Sequence, residues 1–143
     1  GCSMQIDFHV QIPDRVVYTH RLIRKARRQG ALLTVFGTRE VLRTLDVHLW
    51  AWEQGEFLPH ASVDAPEAVQ QRSPILLRDV LRGDEPSDVL INLSLDLPEG
   101  YARWSRLIDI VSTDPDELSA ARQRWRQLLA QGHQPTKFER TAS

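Results

Sequence analysis

The sequence predicts an α/β fold: a single three-layer α/β/α domain around a mostly parallel central sheet. Two observations predict it. Short apolar or alternating segments typical of strands take turns along the chain with longer segments of helical periodicity. A strand followed by a helix and a second strand forms a right-handed crossover, which makes the two strands parallel. At 143 residues the chain is long enough to bury a core without disulfides or metals.

The first half of the chain supplies two strand–helix pairs. Residues 4–11 alternate apolar and polar side chains, which predicts a strand. A helix capped by Asp14 follows, and it ends at Gly30. The continuous apolar run 31–36 predicts a buried central strand, and apolar residues at helical spacing predict a helix over 39–52.

The second half continues the pattern with shorter strands. A polar loop or a short excursion is expected over 61–73, and a short helix over 98–106. A final helix begins at Asp114, where Asp-Pro-Asp-Glu combines an N-cap with proline at the first helical position, and ends at Gly132. Apolar runs predict the remaining strands at 75–77, 89–95 and 107–112.

The domain boundaries follow from the two ends of this pattern. Gly-Cys-Ser precedes Met4 and is expected to be a cloning scar, which leaves Met4 as the natural start. The segment 133–143 is polar and predicted to be tail-like, although Lys137 and Phe138 could be held in place. The sequence therefore predicts a scar at 1–3, one domain over 4–138 and a flexible C-terminal tail at 139–143.

Composition excludes several functional classes. The net charge of −1 argues against a protein whose whole surface is built for nucleic acid. Cys2, the single cysteine, lies in the scar, so disulfides and thiolate sites are not expected. No apolar run approaches the ~18–20 residues that cross a bilayer, and no signal peptide is visible. The expected location is cytoplasmic, with no membrane partner.

A search for catalytic or cofactor motifs favours no enzyme. The turn after the first strand reads QIPDRV and lacks the glycines that allow a backbone to approach a pyrophosphate. The fold is thus predicted to be Rossmann-like without a nucleotide-binding loop. The five histidines form no close ligand pair, and no serine occupies a nucleophile elbow. No catalytic residue, cofactor or metal is predicted.

The remaining candidates are surfaces. The first helix carries a basic face that would suit phosphates or an acidic protein, but an ordinary solvated face is the preferred explanation. In the last helix, Trp125 lies on the apolar stripe with Arg122 and Arg126 beside it, which indicates either a recess for an acidic, apolar peptide or a core tryptophan. The basic face comprises Arg21, Arg24, Lys25, Arg27 and Arg28.

Residues 45–60, LDVHLWAWEQGEFLPH, gather aromatic side chains beside a turn. Trp50 is rotated about 100° from Leu49 on a helix and so points away from its apolar stripe. Phe57 and Pro59 follow outside the helix. Such residues are favoured as interface anchors, and a second packed layer is the alternative explanation.

The order and spacing of three segments resemble the chi subunit of bacterial DNA polymerase III holoenzyme. The segments are LWAWEQGEFLPH, SDVLINLSLDLP and LIDIVSTDPDELSAARQRWRQLLAQG, and the similarity runs from Met4 to about Phe138. The resemblance implies a non-enzymatic adaptor in DNA replication. One surface would bind the psi subunit of the clamp loader, and another the acidic, phenylalanine-ending tail of single-stranded DNA-binding protein.

The resemblance also assigns residues to these surfaces. It implies a tail-binding site at Val111, Arg122, Trp125, Arg126 and Lys137. It implies a psi-type interface at Trp50, Phe57, Pro59 and His60. Alternatives are a repair helicase at that second patch, or a degenerate nucleotide- or nucleic-acid-binding domain. Contact with nucleic acid is expected to be mainly indirect, and the free protein to be a monomer.

Overall fold

The computed structural model of the chain describes residues 4–50 and 61–139. Within them lies a six-stranded sheet of order β3-β2-β4-β5-β1-β6, in which every neighbouring pair is parallel. The α/β prediction is therefore confirmed. The strands are β1 (Gln5–Ile12), β2 (Leu33–Phe36), β3 (Ile75–Arg78), β4 (Val89–Asn92), β5 (Arg106–Ser112) and β6 (Thr136–Glu139).

Helices cover both faces of the sheet, which produces the predicted three layers. They are α1 (Arg15–Arg28), α2 (Arg39–Trp50), α3 (Glu67–Arg72) and α4 (Pro115–Ala130), with a 3₁₀ turn at Tyr101–Arg103. The capping predictions hold: Asp14 accepts hydrogen bonds from two backbone N–H groups of α1, and Asp114 accepts one from Glu117 in α4.

Two hydrophobic cores lie on opposite faces of the sheet. One contains Ile23 of α1 and Leu45 of α2 against inward-facing strand residues. The other contains Ala121 and Leu128 of α4, together with Trp104 from the 3₁₀ turn region. Because fully burying one large aliphatic side chain is worth ~1.5–3 kcal/mol, the alternation of side chains along each strand fixes which helix covers which face.

A bulge in β1 divides this strand between the two cores. Phe8 and Val10 pack into the core beneath α4, whereas Ile12 belongs to the core beneath α1 and α2. Strict alternation would place Ile12 on the same face as Val10. The register with β5 shifts between His9 and Ile12, and Gln11 adopts a φ of 60°. The extra residue reverses the alternation, so the side chain of Ile12 faces the opposite side of the sheet from that of Val10.

Two segments have more regular structure than the sequence predicts. The loop expected over 61–73 contains the short helix α3. The segment expected to be a tail contains β6, which pairs with β1 through Asp7↔Thr136 and Val10↔Glu139. All four residues of β6 are exposed, so the strand lacks the apolar alternation that would reveal it. Residues 1–3 and 140–143 lie outside the described residues.

The helices also bear on membrane association. Across residues 4–50 and 61–139, no helix combines the length and the apolar character needed to span a bilayer.

Candidate functional site

A groove runs between α4 and the β1–β6 edge of the sheet. It encloses about 290 Å³, a volume that suits one or two side chains of a ligand. Most of its exposed surface is apolar, and charged groups stand at its margin. The lining residues are Phe8, Val10, Gln11, Leu118, Ala121, Arg122, Trp125, Lys137 and Glu139.

The spacing of residues in each element explains why these side chains meet. On α4 the lining positions are 118, 121, 122 and 125, which fall on one face of a helix at intervals of three and four. On β1, Phe8 and Val10 share one face because side chains alternate along a strand. The register sets Lys137 beside Phe8 and Glu139 beside Val10. The groove therefore depends on β6, the strand missed from the sequence.

The floor of the groove is aromatic. The rings of Phe8 and Trp125 meet edge to face, with centroids 5.2 Å apart and an interplanar angle of 72°. Phe8 is only 2% exposed, whereas Trp125 is half-buried and keeps part of its ring at the surface. Leu118 is also partly exposed beside it. A ligand side chain entering the groove would meet a rigid apolar surface.

Charged side chains stand at the margin of the groove. Arg122 and Lys137 are exposed, and neither makes an ion pair within the described part of the chain. Glu139 lines the same groove and is the one carboxylate among its described lining residues. Two cations against one carboxylate leave a local excess of positive charge, so the groove favours a ligand that combines apolar and anionic groups.

A buried ion pair fixes α4 to the sheet. Arg124 donates two parallel hydrogen bonds of 2.7 Å to the two carboxylate oxygens of Asp109 in β5, and a third to the carbonyl oxygen of Leu95. The Asn92 side chain donates to Asp109 at 3.2 Å. Burial raises the pKa of the Asp109 carboxyl, and the hydrogen bonds from Arg124 oppose that rise. This bidentate contact fixes the orientation of the helix that forms one wall of the groove.

The structure brings together three of the five residues predicted for the tail site. Arg122, Trp125 and Lys137 line one groove. Arg126 is exposed on α4 but does not line the groove, so it lies beyond its margin. Val111 does not reach the surface: it is 1% exposed and belongs to the core beneath α4. Val111 was predicted to be part of the tail-binding site. Because it is buried, it supports the floor of the groove from beneath and does not line it.

Most of the predicted psi-type interface lies outside the described residues. Phe57, Pro59 and His60 fall in the segment 51–60, and of Trp50 only the backbone at the end of α2 is described. Leu49, one position earlier, is 1% exposed and belongs to the core, as the helical phase predicts.

The crevice where this fold class often binds nucleotides is lined by carboxylates. It lies at the carboxyl ends of β1 and β5, whose following helices α1 and α4 cover opposite faces of the sheet. The Asp14 and Asp114 side chains accept hydrogen bonds from the first N–H groups of the two helices, which a phosphate would need. Arg15 at the same crevice is paired with Glu117 at 2.9 Å. This arrangement disfavours an anionic cofactor there.

The fold and the groove define a class: a three-layer α/β domain with a small surface recess suited to an apolar, anionic ligand. Comparison with known proteins identifies the family. The family model described as "DNA polymerase III chi subunit, HolC" matches residues 4–136. The chain therefore belongs to the DNA polymerase III chi subunit family, whose members are accessory subunits of the replicative polymerase complex.

Two relatives carry the name of this family. The DNA polymerase III subunit chi of Pseudomonas aeruginosa is 31% identical over 138 residues, which cover 90% of this chain and 92% of that protein. The DNA polymerase III subunit chi of Haemophilus influenzae is 34% identical over 89 residues, which cover 62% of this chain and 60% of that protein. The resemblance noted from the sequence is confirmed.

Proposed function

We propose that the protein is a replication adaptor whose α4–β1–β6 groove binds the acidic, phenylalanine-ending C-terminal tail of single-stranded DNA-binding protein. The observation that carries this proposal is the pairing of an aromatic floor, Phe8 and Trp125, with the unpaired cations Arg122 and Lys137. Membership of the DNA polymerase III chi subunit family supports a role in replication, where such an adaptor would meet the coated template.

The chemistry of the groove specifies how such a tail would bind. The terminal phenylalanine ring would enter beside Trp125 and Leu118, where an aromatic surface is already partly exposed. Its terminal carboxylate would pair with Arg122, whose planar guanidinium can donate two hydrogen bonds. Acidic residues further from the terminus would approach Lys137 on β6 or Arg126 beyond the margin. No catalytic step is part of this proposal.

The exposure of these cations limits the affinity. Ion pairs at exposed sites contribute up to ~1 kcal/mol each, because solvent and salt screen them. The buried ring of the ligand must therefore supply much of the binding free energy, as anchor residues do at other interfaces. We expect a dissociation constant in the micromolar range that weakens as salt is raised.

The test is a titration of a fluorescent acidic peptide ending in phenylalanine, followed by anisotropy at low salt. Arg122→Ala should weaken binding about fivefold, since it removes one of the two cations that line the groove. Arg126→Ala is the matched control on the same helix, and it should weaken binding about threefold at most. A peptide ending in alanine should bind much more weakly. Equal loss in both arginine variants, or an unchanged affinity in Arg122→Ala, would sink this assignment.

We propose further that the second partner, the psi subunit, binds at the opposite edge of the sheet. Ala61 forms a parallel bridge with Leu76 of β3, so the first described residue after position 60 lies beside β3. The groove lies beside β6 at the other end of the strand order. With neighbouring strands about 4.8 Å apart, six strands separate the two edges by roughly 24 Å. Two partners at these edges would bind without blocking each other.

This two-edge arrangement has its own test. Phe57→Ala should abolish co-purification with the clamp-loader assembly while leaving the affinity for the acidic peptide within about twofold of wild type. Loss of peptide binding in Phe57→Ala, or retention of the clamp-loader partner together with a large fall in melting temperature, would contradict it.

A further inference from the structure

A second groove lies on the opposite face of the β1–β6 edge, between α1 and β6. It encloses about 570 Å³ and is separate from the peptide groove, with which it shares Lys137 of the edge strand. Three rings contribute to its lining: Tyr18, His9 and Phe138. The His9 ring lies 5.5 Å from that of Tyr18 and 5.2 Å from that of Phe138, centroid to centroid, so the three form a continuous aromatic row.

The outer end of this row is open to solvent. Phe138 is 55% exposed, an unusual environment for a phenylalanine, which normally buries most of its surface. Burial lowers the pKa of His9, so its ring is neutral at pH 7 and contributes aromatic surface and no charge. The row therefore offers flat apolar faces on which a planar ligand can stack.

The margin of this groove is strongly cationic. Four cationic side chains line it, and Asp7 is the one carboxylate among its described lining residues. Asp7 is already compensated, because Arg106 donates to it at 2.9 Å and the hydroxyl of Thr136 at 2.6 Å. The four cations are Arg21, Lys25, Arg106 and Lys137.

The cations of α1 are not neutralised by their own helix. α1 contains six arginine or lysine residues and no aspartate or glutamate. Arg21 and Lys25 are exposed, and neither makes an ion pair within the described part of the chain. They are four positions apart, so they project from the same face one helical turn apart. In a chain of net charge −1, this is a local excess of positive charge.

We propose that this groove binds single-stranded nucleic acid directly. Arg21 and Lys25 would contact successive backbone phosphates, and an unpaired base would stack on Phe138. Cationic tracks combined with exposed aromatic rings are the usual means of binding a single strand without sequence preference. An acidic peptide that ends in phenylalanine would use the same cations but could offer the aromatic row only its one terminal ring, whereas a single strand carries a planar base at every nucleotide. A duplex keeps its bases stacked internally, so it would gain only the phosphate contacts.

The experiment uses the full chain and a fluorescent oligothymidylate of about 15 nucleotides, a length that covers one such site. Anisotropy is measured over roughly 20 to 200 mM salt. The wild-type protein should bind the single strand at low salt, and bind a duplex of equal length more weakly. The double variant Arg21→Glu/Lys25→Glu should lower affinity at least tenfold and reduce the log–log salt slope by about 1.4, because two phosphate contacts are lost.

Two further variants separate stacking from general charge. Phe138→Ala should weaken binding about fivefold or more, whereas Phe138→Trp should retain it, since the larger ring also stacks. The control Arg43→Glu/Arg82→Glu changes the net charge equally, at exposed positions outside this groove, and should alter affinity less than twofold. Circular dichroism of each variant checks that the fold is kept.

Several outcomes would overturn the proposal. They are no binding of the oligonucleotide at low salt, equal loss in the charge control, no effect of Phe138→Ala, or duplex binding as tight as single-strand binding. If Arg21→Glu/Lys25→Glu weakens the acidic peptide as much as the oligonucleotide, the groove belongs to the peptide site and the proposal fails. Because Arg122→Ala should affect the peptide alone, failure here is distinguishable from failure of the tail-binding proposal.

Discussion

Replacing Arg124 with alanine is predicted to destabilise the protein more than any other single arginine change on α4. Arg124 is 5% exposed, and it neutralises Asp109, which is fully buried in β5. Without the guanidinium, the Asp109 carboxyl keeps one side-chain hydrogen bond, from Asn92. Breaking a buried pair by removing one partner costs ~3–5 kcal/mol, since the remaining charge is left uncompensated.

The size of this effect follows from the total stability of a domain this large. Domains of this kind have a free energy of unfolding of about 5–15 kcal/mol, so Arg124→Ala should remove a fifth of it or more. With a urea dependence of about 2 kcal/mol per molar, the unfolding midpoint should fall by roughly 2 M. Alanine favours helix more than arginine does, so the loss cannot come from helix propensity.

The assay is urea unfolding at several pH values, followed by far-UV circular dichroism. Burial raises the pKa of Asp109 above 3.8, and removing Arg124 raises it further. A raised pKa means that the Asp109 carboxyl holds its proton more tightly in the folded protein than in the unfolded chain. The free energy of unfolding therefore falls as pH increases. The gap between the variant and the wild type should therefore be largest near pH 7 and should narrow toward pH 4.

Arg126→Ala is the matched control, because it lies two positions away on the same helix and is exposed. It should change the free energy of unfolding by less than about 0.5 kcal/mol. An Arg124→Ala variant within about 0.5 kcal/mol of wild type at pH 7 would refute the reasoning, as would a gap that widens on acidification.

Three further changes test other parts of the structure. Glu139→Gln removes the carboxylate from the peptide groove, so an acidic tail peptide should bind two- to threefold more tightly by anisotropy. Burial raises the pKa of Glu85, but hydrogen bonds from backbone N–H groups and from Arg78 outweigh it and lower the pKa below 4.5. The Glu85 carboxylate therefore stabilises the fold above pH 4.5, and this stabilisation is lost on acidification. In urea unfolding, Glu85→Gln should lower the free energy of unfolding by ~2 kcal/mol at pH 7 and by less near pH 3. Gly37→Ala places a Cβ 2.9 Å from a methyl carbon of Val41, and calorimetry should show a loss of ~1–3 kcal/mol.

Elements with a strong local signal were predictable from the sequence. The apolar runs at β2 and β4 are buried on both sides, and the caps at Asp14 and Asp114 make the predicted hydrogen bonds. These features depend on neighbours along the chain, which a sequence displays directly.

Features that depend on contacts distant in sequence were harder to predict. β6 has four exposed residues, and only its pairing with β1 makes it a strand. The groove needs that strand, so Phe8, Val10 and Glu139 could not be assigned to it beforehand. Gln11 gives no sign that it will form a bulge.

One missed feature did carry a signal. Asp109 stands inside the apolar run LIDIVS, and a carboxylate in a buried strand requires a partner. That partner is Arg124, which on sequence alone resembles the surface arginines around it. An ionisable residue in the middle of an apolar strand therefore indicates a buried pair, even where the partner is not yet known.

The most direct test of the central proposal is to map the acidic peptide on the protein by NMR. On addition of a peptide that ends in phenylalanine, the Trp125 indole N–H signal and the backbone amides of Val10, Ala121, Arg122 and Lys137 should shift together and saturate. Shifts confined to α1, or to the β3 edge around Ala61, with the Trp125 indole unmoved, would contradict the proposal that the α4–β1–β6 groove binds the tail.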